Sequence, residues 1–180
     1  MKTLETERLL LRLWSMQDAD DLYEYAKNPN VGPNAGWEPH KDKEFSRNII
    51  KMFIEDEVWA IEYKENNKVI GSIGLHEDRK RIRINGKMLG YVLSEDYWGK
   101  GLMTEAASAV IKHGFEEMNL NIISVYHYPF NDKSKRVIEK CGFKYEGTLR
   151  EATRIFDGRI LDDLCYSILK EEYEADKKLG

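Results

Sequence analysis

Strand-like and helix-like segments alternate along this chain, and that succession limits its fold more than any other feature. Side chains that alternate at every second residue indicate strands, and apolar stripes at a period near 3.6 residues indicate helices. A chain that mixes the two periods buries its apolar faces by packing helices onto a sheet. The sequence therefore predicts an α+β fold. The predicted strands are 9–14, 58–64, 68–77, 87–95, 122–128, 145–155 and 159–170, and the predicted helices are 18–28, 42–56, 101–119 and 132–143.

The size and composition favour one globular domain over residues 1–180. Hydrophobic residues make up 42% of the chain and charged residues 33%, a balance that supports a core and excludes a disordered chain. No apolar run reaches the roughly 20 residues of a membrane span. The first residues, MKTLETERLL, lack the basic and then apolar pattern of a secretion signal. We therefore expect a cytoplasmic protein that does not bind membranes.

The net charge and the two cysteines exclude further classes. A formal charge of −4 argues against nucleic-acid binding, which needs a basic face. The basic segment 78–86, DRKRIRING, is accordingly predicted to be a solvated hairpin tip. Cys141 and Cys165 fall on apparent core positions, so we expect reduced, buried thiols, with no disulfide, no metal site and no nucleophilic cysteine.

The segment 95–106, EDYWGKGLMTEA, places Gly99 and Gly101 where a predicted strand passes into the long helix at 101–119. The first amides of a helix are unpaired and attract anions, and glycine allows a close approach. We interpret this turn as a backbone cradle for a pyrophosphate, flanked by the Lys100 cation and the Thr104 hydroxyl. The alternative is an ordinary tight turn. The chain has neither the P-loop pattern nor the third glycine of a dinucleotide fingerprint.

The same segment resembles the acyl-CoA pyrophosphate loop of the GNAT superfamily of N-acetyltransferases, written Q/R-x-x-G-x-G/A. Gly101 matches its central glycine, whereas Trp98 and Met103 depart from the pattern. The combination W-G-x-G followed by T-E-A is similar to the Rim-type branch that acetylates the N-termini of ribosomal proteins. Similarity extends over LETERLLLRLWSMQDADDL, GWEPH, NDKSKRVIEKCGF and YEGTLREATRIFDGRILDDLCYSI, in that order.

The resemblance implies a fold and a cofactor site. It implies α/β/α layers around a mixed, mostly antiparallel sheet of six or seven strands, split by a bulge in the strand that contains GYVLSE. Amide groups near Val92 and Leu93 would then bind the thioester carbonyl and pantetheine. The remaining residues implied in acetyl-CoA binding are Trp98, Gly99, Lys100, Gly101, Leu102, Met103, Thr104, Asn131 and Ser134.

Acetyl transfer from a thioester to an amine requires a proton for the departing thiolate. Many GNAT members have a tyrosine seven residues after the helix-opening asparagine, and this chain has Ile138 there. Ser134, three residues after Asn131, matches the N-x-x-S pattern of the ribosomal-protein branch and is the predicted proton donor. Helix capping or solvent exposure is the alternative for both residues.

The reaction also needs a neutral amine. A protein α-amine has a reference pKa near 8 and a lysine amine one near 10.4, so an α-amine needs little help from a base. Glu38 in the GWEPH loop is the first candidate for that base, beside Trp37 as a stacking wall, with His76 and Glu77 as alternatives.

Together these features predict an acetyl-CoA-dependent N-acetyltransferase, monomeric or homodimeric. The expected acceptor is the N-terminal α-amine of a protein, most simply a ribosomal protein. Two alternatives stay open, namely transfer to a small-molecule amine such as an antibiotic or polyamine, and a non-catalytic acyl-CoA sensor.

Overall fold

The computed structural model describes residues 1–179, which form one eight-stranded sheet and five α-helices. In chain order the elements are β1 (Leu4–Glu5), β2 (Leu9–Arg12), α1 (Ala19–Ala26), α2 (Lys43–Glu55), β3 (Trp59–Tyr63), β4 (Lys68–Glu77), β5 (Gly86–Leu93), α3 (Leu102–Glu116), β6 (Ile122–His127), α4 (Asp132–Lys140), β7 (Lys144–Arg154), β8 (Ile160–Leu169) and α5 (Lys170–Leu179). The strand order is β1-β2-β3-β4-β5-β6-β8-β7. Only β5 and β6 pair in parallel, so the predicted mixed, mostly antiparallel sheet is confirmed.

Every predicted helix and strand is present, with ends shifted by at most three residues. Two elements escaped the sequence analysis. The two-residue strand β1 is too short to show a period, and it makes the sheet larger than expected. Helix α5 is mostly polar, and it is held by Tyr173, whose ring stacks on Phe115 of α3 at 4.9 Å.

Helices cover both faces of the sheet and enclose two apolar cores. One core lies under α3 and α4 and includes Leu9, Ile73, Val110, Ile123 and Ile138. The other lies under α1 and α2 and includes Leu22, Tyr25, Val31, Ile50 and Val69. The strands between these cores alternate their side chains between the two faces, which produces the α/β/α layers.

The sheet opens between its two parallel strands. β5 and β6 pair only from Gly86 opposite Ile122 to Met88 opposite Ser124, although both strands continue to Leu93 and His127. The expected bulge in GYVLSE is absent, because β5 pairs with β4 in continuous register from Lys87 to Leu93. A register shift occurs instead between β3 and β4, so the gap results from divergence of β5 and β6.

The basic segment 78–86 forms the tip of the β4–β5 hairpin and is mostly exposed, as predicted, but two of its cations also make ion pairs. Lys80 Nζ lies 2.9 Å from the buried carboxylate of Asp163. Arg81 bridges Asp78 at 2.9 Å and Glu146 at 2.6 Å. Asp163 and Glu146 lie far along the chain, so a local sequence window could not reveal those two pairs, whereas Asp78 lies within the segment itself. Across residues 1–179 we find no helix with the length and apolar character to cross a bilayer.

Candidate active site

A cleft of about 890 Å³ follows the gap between β5 and β6 and continues under α1 and α2. The turn at Gly99 and Gly101 lies at one end of the cleft and the GWEPH loop lies at the other. Most of the predicted site residues line this cleft, namely Glu38, Val92, Leu93, Trp98, Gly99, Gly101, Leu102, Met103, Thr104, Asn131 and Ser134. Lys100 is exposed and is not part of the lining.

The turn at Gly99 and Gly101 has a backbone that other residues rarely adopt. Both glycines have positive φ angles, 75° and 76°, where an L side chain is disfavoured by about 1–2 kcal/mol. Within residues 1–179, no amide from Gly99 to Thr104 donates a hydrogen bond, and α3 has no side-chain cap. Unpaired amides in succession at the positive end of a helix suit a pyrophosphate.

The two departures from the family pattern have structural roles. The Trp98 indole donates from Nε1 to the carbonyl oxygen of Leu93 at 2.8 Å, which ties the turn to the end of β5. Leu102 and Met103 are 1% and 5% exposed and pack in the core. We therefore expect these two residues to contact a ligand through their amides, with the Met103 side chain serving the core.

Hydrogen-bond alternation determines which β5 amides face the gap. The amide of Ser94 donates to Ile70 of β4 at 2.7 Å. Because alternate residues of an antiparallel strand pair with the same neighbour, Val92 also directs its amide to β4. The amides of Leu93 and Tyr91 then face the gap beside β6. We expect those two groups, with Leu93 as predicted and Tyr91 in place of Val92, to meet the thioester arm.

Ser134 lies in the cleft beside a hydroxyl that the sequence analysis missed. Its Oγ atom is 2.8 Å from the hydroxyl oxygen of Tyr91, which projects from β5 across to α4. Burial raises the pKa of Tyr91 well above its usual value, so its phenol stays protonated. Ile138, seven residues after Asn131, is 1% exposed and belongs to the core. The alternation of Tyr91 with Leu89 and Leu93 along β5 is the one sequence signal that places Tyr91 on this face, and that signal does not indicate Ser134 as its partner.

Asn131 caps α4 and connects it to the segment 32–35 that precedes the GWEPH loop. Its Oδ1 atom accepts from the Ser134 amide at 3.1 Å, and its Nδ2 atom donates to the Asn34 carbonyl at 3.1 Å. The capping alternative is therefore present in the structure. The cap fixes the first turn of α4 and so holds Ser134 toward Tyr91.

The three base candidates have different surroundings. The Glu38 carboxylate lines the cleft, is 56% exposed and lies 3.7 Å from Lys41. Glu77 is exposed and lies outside the lining. The His76 ring lies in the cleft over the paired residues Gly74 and Gly90, where an added Cβ atom at either glycine would approach it to about 3.0–3.1 Å. Burial lowers the pKa of His76, so the ring is neutral near pH 7 and can accept a proton.

The far end of the cleft is largely apolar and aromatic. Trp37 lies against Gly32 and packs on His40, with ring centroids 5.2 Å apart. Burial lowers the pKa of His40 to about 4, and its Nδ1 atom lies 2.8 Å from Ser46 Oγ. The Tyr25 hydroxyl in this lobe is buried without a hydrogen-bond partner among residues 1–179.

Charges along the cleft are distributed unevenly. Glu38 is the single carboxylate of the lining within the described residues, whereas Lys133, Arg136 and Lys140 of α4 are cations. Both cysteines are free and half-buried and lie outside the lining. Burial raises the pKa of Cys141 to about 11, so this thiol stays protonated. In the described part of the chain, no group of three or more potential metal ligands occurs.

This open sheet, with a glycine turn at the mouth of its gap, is the arrangement of an acyl-CoA-dependent transferase. The family model described as acetyltransferase (GNAT) domain matches residues 8–144. The chain belongs to the GNAT family of acetyltransferases, and it is an N-acetyltransferase.

Individual relatives agree with that assignment. The uncharacterized N-acetyltransferase p20 of Bacillus licheniformis is 35% identical over 180 residues, covering 96% of this chain and 99% of that protein. The ribosomal protein uS5-alanine N-acetyltransferase of Escherichia coli is 25% identical, covering 94% and 92%. A crystal structure of a GNAT-family acetyltransferase from Bacillus anthracis superimposes with a TM-score of 0.86 at 29% identity, covering 95% of this chain and all of that one.

Proposed function

We propose that this protein transfers the acetyl group of acetyl-CoA to the N-terminal α-amine of a protein in the cytoplasm. The observation that carries the cofactor part is the run of unpaired amides from Gly99 to Thr104 at the mouth of the β5–β6 gap. These amides lie at the mouth of a cleft of about 890 Å³ that follows the gap, where a thioester arm would extend. The Escherichia coli relative, named as a ribosomal protein uS5-alanine N-acetyltransferase, supports the acceptor class.

Each chemical requirement of the transfer has a candidate group in the cleft. The Leu93 and Tyr91 amides would stabilise the negative charge on the carbonyl oxygen as the amine attacks. The Ser134 hydroxyl would donate a hydrogen bond to the departing sulfur. Because Tyr91 stays protonated, its hydroxyl can donate to Ser134 Oγ and so leave the serine proton free to point at the sulfur.

For the base we favour His76 over Glu38. The His76 ring contacts β5 at Gly90, next to Tyr91 and the gap, whereas the Glu38 carboxylate is exposed and faces Lys41. A neutral imidazole can take the proton that the attacking amine loses, directly or through one water molecule. An α-amine needs only this modest help because its reference pKa is near 8.

The charges of the cleft bear on the acceptor. A polyamine or aminoglycoside carries several positive charges, and Glu38 is the single carboxylate of the lining within residues 1–179. One carboxylate gives such a ligand little charge complementarity. The apolar lobe formed by Trp37, Phe45 and Phe53 supports a second candidate, a small amine with an uncharged apolar body.

A thiol-release assay tests these assignments together. The purified protein is given acetyl-CoA with N-terminal peptides, apolar monoamines, polyamines or aminoglycosides, and free coenzyme A is measured. We expect release with peptides that have a free α-amine and none with their N-acetylated counterparts. Release with apolar monoamines alone would favour the second candidate. Binding of acetyl-CoA without release for any amine would indicate a sensor and contradict the proposal.

A further inference from the structure

Helix α4 presents three cations on one face. Lys133, Arg136 and Lys140 follow each other at spacings of three and four residues, which places them on one side of a helix. All three line the cleft. The opposite side carries Lys135, which pairs with Glu139 at 3.9 Å. The cation stripe, defined as Lys133, Arg136 and Lys140, is therefore directed at the cleft.

Both ends of α4 contact the segment 98–104, which contains the glycine turn. Lys133 Nζ lies 3.8 Å from the centre of the Trp98 ring, at the start of the turn. Cys141, at the other end of α4, has its Sγ atom 3.9 Å from the carbonyl oxygen of Thr104. Arg136 and Lys140 lie between these two contacts. They consequently occupy the wall that faces the anion-binding amides.

Arg136 and Lys140 carry charges that the protein itself does not neutralise. Within residues 1–179 neither side chain has a carboxylate within salt-bridge distance or a hydrogen-bond acceptor. Many other cations of the chain do have such partners, including Arg8 with Glu105 at 2.7 Å and Arg12 with Asp18 at 2.9 Å. Two unpaired cations beside a phosphate cradle leave room for a second anionic group.

We propose that Arg136 and Lys140 bind the phosphomonoester on the ribose of coenzyme A, separately from the pyrophosphate held by the glycine turn. This inference rests on the proposed function. A phosphomonoester carries a charge of about −1.5 to −2 near pH 7, and a guanidinium matches its oxygens bidentately. The site would select coenzyme A thioesters over pantetheine thioesters that lack the nucleotide, including those carried by proteins.

Calorimetry with coenzyme A and dephospho-coenzyme A, which lacks only the ribose phosphate, tests this inference. We expect the wild-type protein to bind coenzyme A about tenfold or more tightly than dephospho-coenzyme A, as for loss of a charged hydrogen bond. In the double variant Arg136→Gln/Lys140→Gln, affinity for coenzyme A falls and affinity for dephospho-coenzyme A does not, so the ratio approaches one. Lys135→Gln, on the opposite side of α4, is the matched control and keeps the wild-type ratio.

Three outcomes would overturn the inference. Equal affinities in the wild-type protein would show that the ribose phosphate makes no contact. An unchanged ratio in the double variant, with both ligands weakened alike, would place the two cations on the pyrophosphate instead. No uptake of either ligand would refute the proposed function as well, so the two failures are distinguishable. Thermal melts of each variant check that the fold is retained.

Discussion

The pair formed by Ser134 and Tyr91 allows a quantitative test of the mechanism. If Ser134 donates to the departing sulfur, Ser134→Ala removes a hydrogen bond to a group that becomes charged, worth about 1.5–3 kcal/mol. At about 1.4 kcal/mol per tenfold change in rate, kcat should fall by roughly 10- to 150-fold while acetyl-CoA affinity changes little. Ser108→Ala, an exposed serine outside the cleft, is the matched control and keeps wild-type kcat.

The double-mutant cycle tests whether Tyr91 acts through Ser134. The bond between their oxygens is 2.8 Å long, and a neutral hydrogen bond contributes about 1 kcal/mol. Tyr91→Phe alone should therefore lower kcat by about fivefold. In the Ser134→Ala background the same change should have no further effect, because its target is gone. Steady-state thiol release measures all four proteins. Independent, multiplicative losses would refute the positioning role of Tyr91, and a change confined to KM would refute the role of Ser134.

Three further predictions follow from the same structure. Gly99→Ala and Gly158→Ala both force alanine into positive φ, 75° and 88°, with no atom near the new methyl, so each should cost about 1–2 kcal/mol in denaturant unfolding. Only the Gly99 change should also weaken coenzyme A binding in calorimetry, and equal affinity in both variants would contradict the cradle. His76→Gln should lower kcat/KM by about 10²-fold and remove the decline of kcat/KM below pH 6.5, because the ring that becomes protonated there is gone. Glu38→Gln should change kcat/KM by less than about threefold. If Glu38→Gln instead has the larger effect and removes that decline, Glu38 is the base. His40 has its pKa lowered to about 4 by burial, so the unfolded state binds more protons between pH 6.5 and 4, and stability should fall by up to about 3 kcal/mol as pH decreases through that range. His40→Gln should flatten that part of the curve in urea titrations, and an unchanged slope would argue against this assignment.

Much of the fold was predictable because its signals are local. The strand period, the helical stripes and the glycine turn each arise from neighbours within a few residues, and each predicted element is present. The motif around Gly101 identified the family for the same reason. Helix α5 was missed because its stability depends on Tyr173 stacking against Phe115, a contact between residues distant in the chain.

The sequence by itself therefore determined the order of all the helices and strands except β1 and α5, the left-handed turn that only glycine adopts easily, and the family to which the chain belongs. The tertiary structure decided where β5 leaves β6, which β5 amides face the gap, and that Tyr91 meets Ser134. It also placed His76 across two glycines and gave Lys80 and Arg81 their partners. These features depend on strand register and on the packing of α4 against the sheet, and a one-residue change of register would turn the strand residues His76 and Tyr91 to the other face.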